Sequence, residues 1–152
     1  AVIGWTMIIF GLLLYWSDQR REGRKRTADW TMRDAVIVGL WQAVALIPGT
    51  SRSGATITGA RALGYIREDA ARISMLMSIP TIIASAALLA GDVISDFDGA
   101  AVAQAGIAAG FAFVAALVAL TLMMRLLKAV SFTPYVVYRL ILGVALLVYA
   151  YS

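Results

Sequence analysis

The chain has 152 residues, 61% of them hydrophobic and only 14% charged, with a mean hydropathy of +0.83. A soluble domain is about 45–50% apolar and about 25% charged, so lipid rather than water is the expected solvent. The net charge of +4 does not indicate nucleic acid, because the cations sit in short loops between apolar runs, as membrane topology requires. There is no cysteine and no histidine, which excludes a disulfide framework, a thiolate metal site and the commonest general base.

Ala1 to Trp16 is an apolar run of 16 residues, about 24 Å of helix against a hydrocarbon core of ~30 Å. It has neither an initiator Met nor a basic segment before it, so it does not read as a signal peptide. The expectation is that the sequence starts inside a helix of something longer. A cation-dense loop follows from Ser17 to Arg26, read as a solvated face, with contact to anionic lipid as the alternative. Leu40 to Ile47 is apolar and is broken by Pro48-Gly49, and a second helical stretch is predicted from Ser53 towards Tyr65. Ile66 to Asp69 is a polar connection in which Glu68 or Asp69 suits a helix start. Ala70 to Ala90 is long enough to span, with Pro80 as a kink. Gly91 to Gly99 reads as a loop carrying Asp92, Asp96 and Asp98. Ala100 to Met124 is another long apolar run, and Thr133 to Tyr151 the last, opened by Pro134 near its first turn. Gly106, Gly110, Ala115 and Ala116 suit close helix approach, and Trp5, Trp16, Trp30, Trp41, Tyr135, Tyr138, Tyr149 and Tyr151 read mostly as interfacial anchors.

Every Lys and Arg except Arg52 and Arg139 lies in or beside the first, second and fourth loops, and the loop of Asp92, Asp96 and Asp98 has none. The positive-inside rule then puts both ends of the segment Asp34–Tyr65 in the cytoplasm. Ala35 to Ile47, at roughly 20 Å of helix, is too short to cross alone. Asp34–Tyr65 is therefore predicted to be a re-entrant helical hairpin with Pro48–Gly54 at its tip. Irregular backbone at membrane depth is tolerated only beside protein or water, so the tip should line a cavity.

The tip is suited to anions. Gly49 and Gly54 allow unusual backbone angles, Thr50, Ser51, Ser53 and Thr56 supply hydroxyls, and Arg52 supplies a fork of five donors. A helix starting near Ser53 would aim its free N–H groups into the loop. Phosphate is the natural ligand of such a set. In the competing reading Arg52 merely bonds the carbonyls of the broken hairpin. Gly49 to Thr56 also has the glycine spacing of a P-loop, but Ala55 stands where the lysine belongs and no strand precedes it, so a nucleotide site is not expected. Arg139 either snorkels to an interface or makes a second contact to phosphate or to the hairpin. Gln42 either bonds the broken backbone or touches substrate.

The stretch Trp41-Gln42-Ala43-Val44-Ala45-Leu46-Ile47-Pro48-Gly49-Thr50-Ser51-Arg52-Ser53-Gly54-Ala55-Thr56-Ile57 resembles the second signature of bacterial undecaprenyl pyrophosphate phosphatases, the bacitracin-resistance type. Ser131-Phe132-Thr133-Pro134-Tyr135-Val136-Val137-Tyr138-Arg139 is similar to that family's last helix. The likeness covers essentially the whole chain and corresponds to the C-terminal half of a typical member. It implies an all-α integral membrane fold, with residues 1–152 as one of two inverted repeats that meet at a shared site. It also implies hydrolysis of the terminal phosphate of a C55 polyprenyl diphosphate, recycling the carrier lipid for peptidoglycan synthesis and conferring bacitracin resistance. Arg52 matches the family's pyrophosphate-binding arginine, with Ser51 and Ser53 beside it as catalytic candidates. Gly49, Thr50, Gly54, Thr56, Gln42 and Arg139 are the substrate-binding candidates. A divalent cation, Mg or Ca, is implied by the resemblance, but the paired glutamates that serve it and a serine–histidine pair belong to the family's other half. None of these is present here, so this chain alone is expected to be inactive. The implied partners are the lipid substrate, the bacterial inner membrane as a multi-pass protein, and a missing N-terminal half or partner chain. A homodimer is left open. The rival reading is a transporter or lipid flippase that carries an anion without hydrolysing it.

Overall fold

The computed structural model describes residues 1–19, 23–95 and 99–151. Arg20, Arg21 and Glu22 of the basic loop and Asp96 and Asp98 of the acidic one lie outside the described residues, as does the side chain of Asp92. The helices are α1 (Val2–Gln19), α2 (Met32–Val44), α3 (Arg52–Ala62), α4 (Arg67–Ser95), α5 (Gly99–Ala129) and α6 (Thr133–Tyr151), with a 3₁₀ turn at Thr27–Asp29. Among the described residues three stretches are long and apolar enough to cross a bilayer: Arg67–Leu89, Gln104–Leu127 and Thr133–Tyr151, of 23, 24 and 19 residues. At 1.5 Å per residue they measure roughly 28–36 Å, matching a ~30 Å hydrocarbon core. The chain is an all-α membrane protein.

Several boundaries differ from the sequence reading, each for a local reason. Helix α2 starts before Asp34 because the Thr31 hydroxyl accepts the Asp34 N–H at 3.2 Å, an N-cap. It ends at Val44 rather than Ile47. Beyond it the amides of Ala45, Leu46 and Ile47 bond three residues back, each at 3.1 Å, so the apolar run tightens before the proline arrives. Helix α3 takes in Arg52, with Ser51 as its N-cap, so Arg52 is a first-turn residue rather than a loop residue. Helix α4 keeps Pro80 in its interior and runs on to Ser95, through the expected loop start at Gly91. Once a helix is under way each further residue adds a hydrogen bond, and one glycine and one aspartate do not outweigh that.

The chain forms two compact units, one of Ala1–Leu76 with Leu127–Ser152 and the other of Met77–Leu126. In the first, α1 and α6 cross where glycine faces glycine. A Cβ on Gly4 would lie 2.8 Å from the Leu147 side chain and 2.9 Å from the Gly143 carbonyl, the small-residue approach that membrane helices use. Helices α2 and α3 form a hairpin closed by Gly59 against the Trp41 ring, where a Cβ would sit 2.6 Å from the indole. At 13 and 11 residues, about 20 and 16 Å, neither arm could cross a bilayer. Trp41 packs on Gly59 in this way, and the ring of half-buried Trp30 lies 5.7 Å from that of Tyr65. Leu14, Val38, Ala55, Ala60 and Val136 are among the side chains buried in this unit.

In the second unit most of the described apolar side chains, including Ile82, Ile83, Phe111, Phe113 and Leu117, are exposed, as expected of surface that faces lipid or another helix. Both of its threonine hydroxyls bond within their own helix: Thr81 donates to the Met77 carbonyl at 3.1 Å and Thr121 to that of Leu117 at 2.7 Å.

Candidate anion site at the hairpin tip

Between Val44 and Arg52 the backbone leaves helical geometry and creates carbonyls that need partners. Two helices supply them. From α1, the Thr6 hydroxyl donates to the Pro48 carbonyl at 2.7 Å. From α6, Arg139 donates through Nη2 to the carbonyls of Gly49 at 2.7 Å and Thr50 at 2.9 Å. Only 2% of Arg139 is exposed, so it does not snorkel; it fastens the tip from inside. Gly49 is doubly required, since its φ is +89° and a Cβ there would lie 2.8 Å from the Ile3 carbonyl. At Gly54 a Cβ would lie 2.9 Å from Arg139 Nη1.

With the carbonyls taken by Arg139 and Thr6, Arg52 is released from the bland role considered above. Its Nη1 is shut off from solvent and makes no hydrogen bond, and among the described residues no carboxylate pairs with it. The Thr50 hydroxyl is fully buried and likewise without a partner. Ser51 holds φ at +66°, a conformation that costs a non-glycine residue about 1–3 kcal/mol and collects at functional loops. That angle lets its hydroxyl accept the Gly54 N–H at 3.2 Å, while Ser53 Oγ and the Tyr135 hydroxyl approach at 3.4 and 3.2 Å. The amides of Arg52 and Ser53 open α3 with no acceptor among the described residues. The unpartnered Thr50 hydroxyl, the free amides that open α3 and the Arg52 guanidinium thus lie within residues 50–53, a set of donors that suits an anion.

The sequence-predicted residues do not all share that spot. Gly49, Thr50, Ser51, Arg52, Ser53, Gly54 and Arg139 come together there. Thr56 does not: it is fully buried, donates towards the Arg52 and Ser53 carbonyls at 3.0 and 3.1 Å, and meets Ser74 Oγ of α4 at 2.6 Å. Its hydroxyl is committed to helix packing and is not presented to the loop. Gln42 lies half-buried on the last turn of α2. Among the described residues no three carboxylates, imidazoles or thiols are grouped as metal ligands. The tip offers hydroxyls and two guanidiniums, which suit phosphate oxygens and repel a cation, so it is a poor host for a divalent metal by itself.

Two further clusters, missed from sequence, hold the hairpin at its base. Buried Asp18 at the end of α1 pairs with Arg61 of α3 at 3.1 Å and with Arg67 of α4 at 2.8 Å, and accepts the Phe132 N–H at 3.3 Å. Arg61 also donates to the carbonyls of Tyr65 at 2.7 Å and Asp18 at 2.9 Å. A cavity of about 550 Å³ opens beside this cluster, where both guanidiniums already pair with Asp18. The second cluster joins the two ends of the hairpin, the Tyr65 hydroxyl donating to Asp34 Oδ2 at 2.7 Å with Lys25 Nζ at 3.3 Å. The bond from Tyr65, more than the neighbouring Lys25 and against the effect of burial, holds the Asp34 carboxyl below its usual range. Burial, then Asp34, pushes the Tyr65 phenol up.

The family described as bacitracin resistance protein BacA matches residues 1–145. Over its whole length the chain is 68% identical to an undecaprenyl-diphosphatase of Ruegeria pomeroyi and 66% identical to those of a Jannaschia species and Dinoroseobacter shibae. It covers 57% of each of these relatives, and so spans little more than half the length of the curated proteins it matches.

Proposed function

The chain belongs to the bacitracin resistance protein BacA family, and on that premise we propose that it is the pyrophosphate-binding half of an undecaprenyl-diphosphatase. The complete protein would hydrolyse the terminal phosphate of a C55 polyprenyl diphosphate in the bacterial inner membrane, as a multi-pass protein. The observation that carries this reading is the division of labour between two arginines. Arg139 donates to two carbonyls of the broken backbone, whereas Arg52, the first residue of α3, keeps a buried Nη1 without a partner and makes no such bond. Cleaving a phosphoanhydride is largely positioning and charge neutralisation, and Arg52 with the α3 amides supplies the second. Ser51 and Ser53 orient phosphate oxygens. The base that activates the attacking group lies outside this chain, which has no histidine. A divalent cation belongs to the proposal as a counterion of the diphosphate, held by carboxylates that are not at this tip.

In the same reading the α2–α3 hairpin is re-entrant and forms half of an inverted repeat. What supports it is the shortness of both arms and the contact between its ends, Asp34 to Tyr65. Cysteines placed at Arg26 and Arg67 should then label with an impermeant reagent from the same, cytoplasmic side. Labelling from opposite faces would mean that the segment spans, and the inverted repeat would go with it.

The activity itself is tested by complementation. Purified alone in detergent, these 152 residues should release no phosphate from a polyprenyl diphosphate, and co-expression with the remainder of the protein should restore release. Turnover by the chain alone would overturn the assignment of the base to the other half. A complemented protein that moves the lipid between leaflets without releasing phosphate would favour a flippase.

A further inference from the structure

We infer that Tyr135 is a substrate-contacting residue of the anion site, its phenolic O–H donating to the same phosphate group that Arg52 neutralises; this rests on the pyrophosphate reading above. Position 135 is one turn before Arg139 on α6, so both side chains share a helix face. The Arg139 guanidinium carbon sits 5.7 Å from the centre of the Tyr135 ring, and Arg139 Nη1 donates to the phenolic oxygen at 3.5 Å. Ser51 Oγ is 3.2 Å from that oxygen. The strained N-cap serine, the tip-fastening arginine and the tyrosine thus form one connected group.

The proton inventory says what the group can do. A guanidinium has only donors, so the Tyr135 oxygen accepts from Arg139. Ser51 Oγ already accepts the Gly54 N–H, which leaves its own proton to give. When Ser51 donates to Tyr135, the phenol is filled as an acceptor and its one proton is unassigned. An anion at the α3 N-terminus selects that arrangement, and the adjacent guanidinium strengthens the phenol as a donor. Exposure agrees with the role: Arg139 is 2% exposed and Tyr135 40%, so the arginine is the buried support and the tyrosine the more accessible residue. Tyr138 on the same helix is 61% exposed and shows no such hydrogen bond or ring contact among the described residues, which makes it the internal control.

The test uses the complete protein carrying Tyr135→Phe, which removes the O–H and keeps the ring against Arg139. Inorganic pyrophosphate affinity is measured by calorimetry, and turnover on the lipid and melting temperature on the same samples, with Tyr138→Phe and Arg52→Ala alongside. Tyr135→Phe should weaken pyrophosphate binding and lower kcat/KM by about ten- to a hundred-fold, the loss of one hydrogen bond to a charged group, without lowering the melting temperature. Tyr138→Phe should match the parent. Parent-like affinity in Tyr135→Phe would overturn the inference, and so would a lowered melting temperature with normal affinity per folded molecule. Arg52→Ala separates the two readings: loss of binding there alongside parent-like Tyr135→Phe would remove Tyr135 and leave the pyrophosphate site standing. Retained binding in Arg52→Ala would remove the site itself.

Discussion

Replacing Arg52 with alanine in the complete protein should cut turnover by roughly a hundred- to a thousand-fold or more, the loss seen when a desolvated donor is removed where charge builds up. Arg52→Lys should recover little, because a point charge cannot reproduce the planar fork. Neither substitution should lower the melting temperature, since Arg52 Nη1 makes no hydrogen bond in the fold and the tip carbonyls are held by Arg139 and Thr6. Arg139→Ala should behave in the opposite way and soften the fold. Turnover and melting temperature measured on the same preparations decide the matter. An Arg52→Ala protein that melts early yet keeps near-normal activity would sink the phosphate-binding assignment.

The second large effect lies at the other end of the hairpin. Asp18→Ala should destabilise the protein by about 3–5 kcal/mol, because it leaves the buried Arg61 charge uncompensated. Only 3% of the Arg61 side chain and 1% of the Asp18 side chain are exposed. Breaking the Lys25–Asp34 pair through Lys25→Ala should cost no more than about 1 kcal/mol, since 42% of the Lys25 side chain is in solvent. Denaturant titration of the three proteins in the same detergent gives the comparison. Equal stability of Asp18→Ala and the parent would mean that backbone carbonyls alone satisfy Arg61.

The contrast between these two residues shows what the sequence reveals and what it conceals. Pro48-Gly49 announces the broken hairpin because proline and glycine act locally on the backbone. Thr133 and Pro134 set the start of α6 for the same reason. Arg52 stood out because a charge between hydroxyls and glycines has few structural uses in an apolar chain. Asp18 did not, since one carboxylate beside a run of arginines looks like ordinary loop charge until α1, α3 and α4 are seen to meet over it. Arg139 was recognised as unusual, yet its partner was undecidable: snorkelling and fastening call for the same residue at the same depth, and only the position of Gly49 and Thr50 distinguishes them. Tyr135 had a local signal, its four-residue spacing from Arg139, which was masked by the general habit of tyrosine to sit at membrane interfaces.

The Arg139 contact also sets an order of events during synthesis. It joins residues 90 apart in the chain, and a ribosome making about 5–20 residues per second needs roughly 5 to 20 seconds to cover that distance. For that interval the hairpin tip exists without the guanidinium that fastens it. The carbonyls of Gly49 and Thr50 must meanwhile stay hydrated or be sheltered by the insertion machinery. The hairpin tip is therefore among the last parts of this chain to take its final shape, although it is made in the first half.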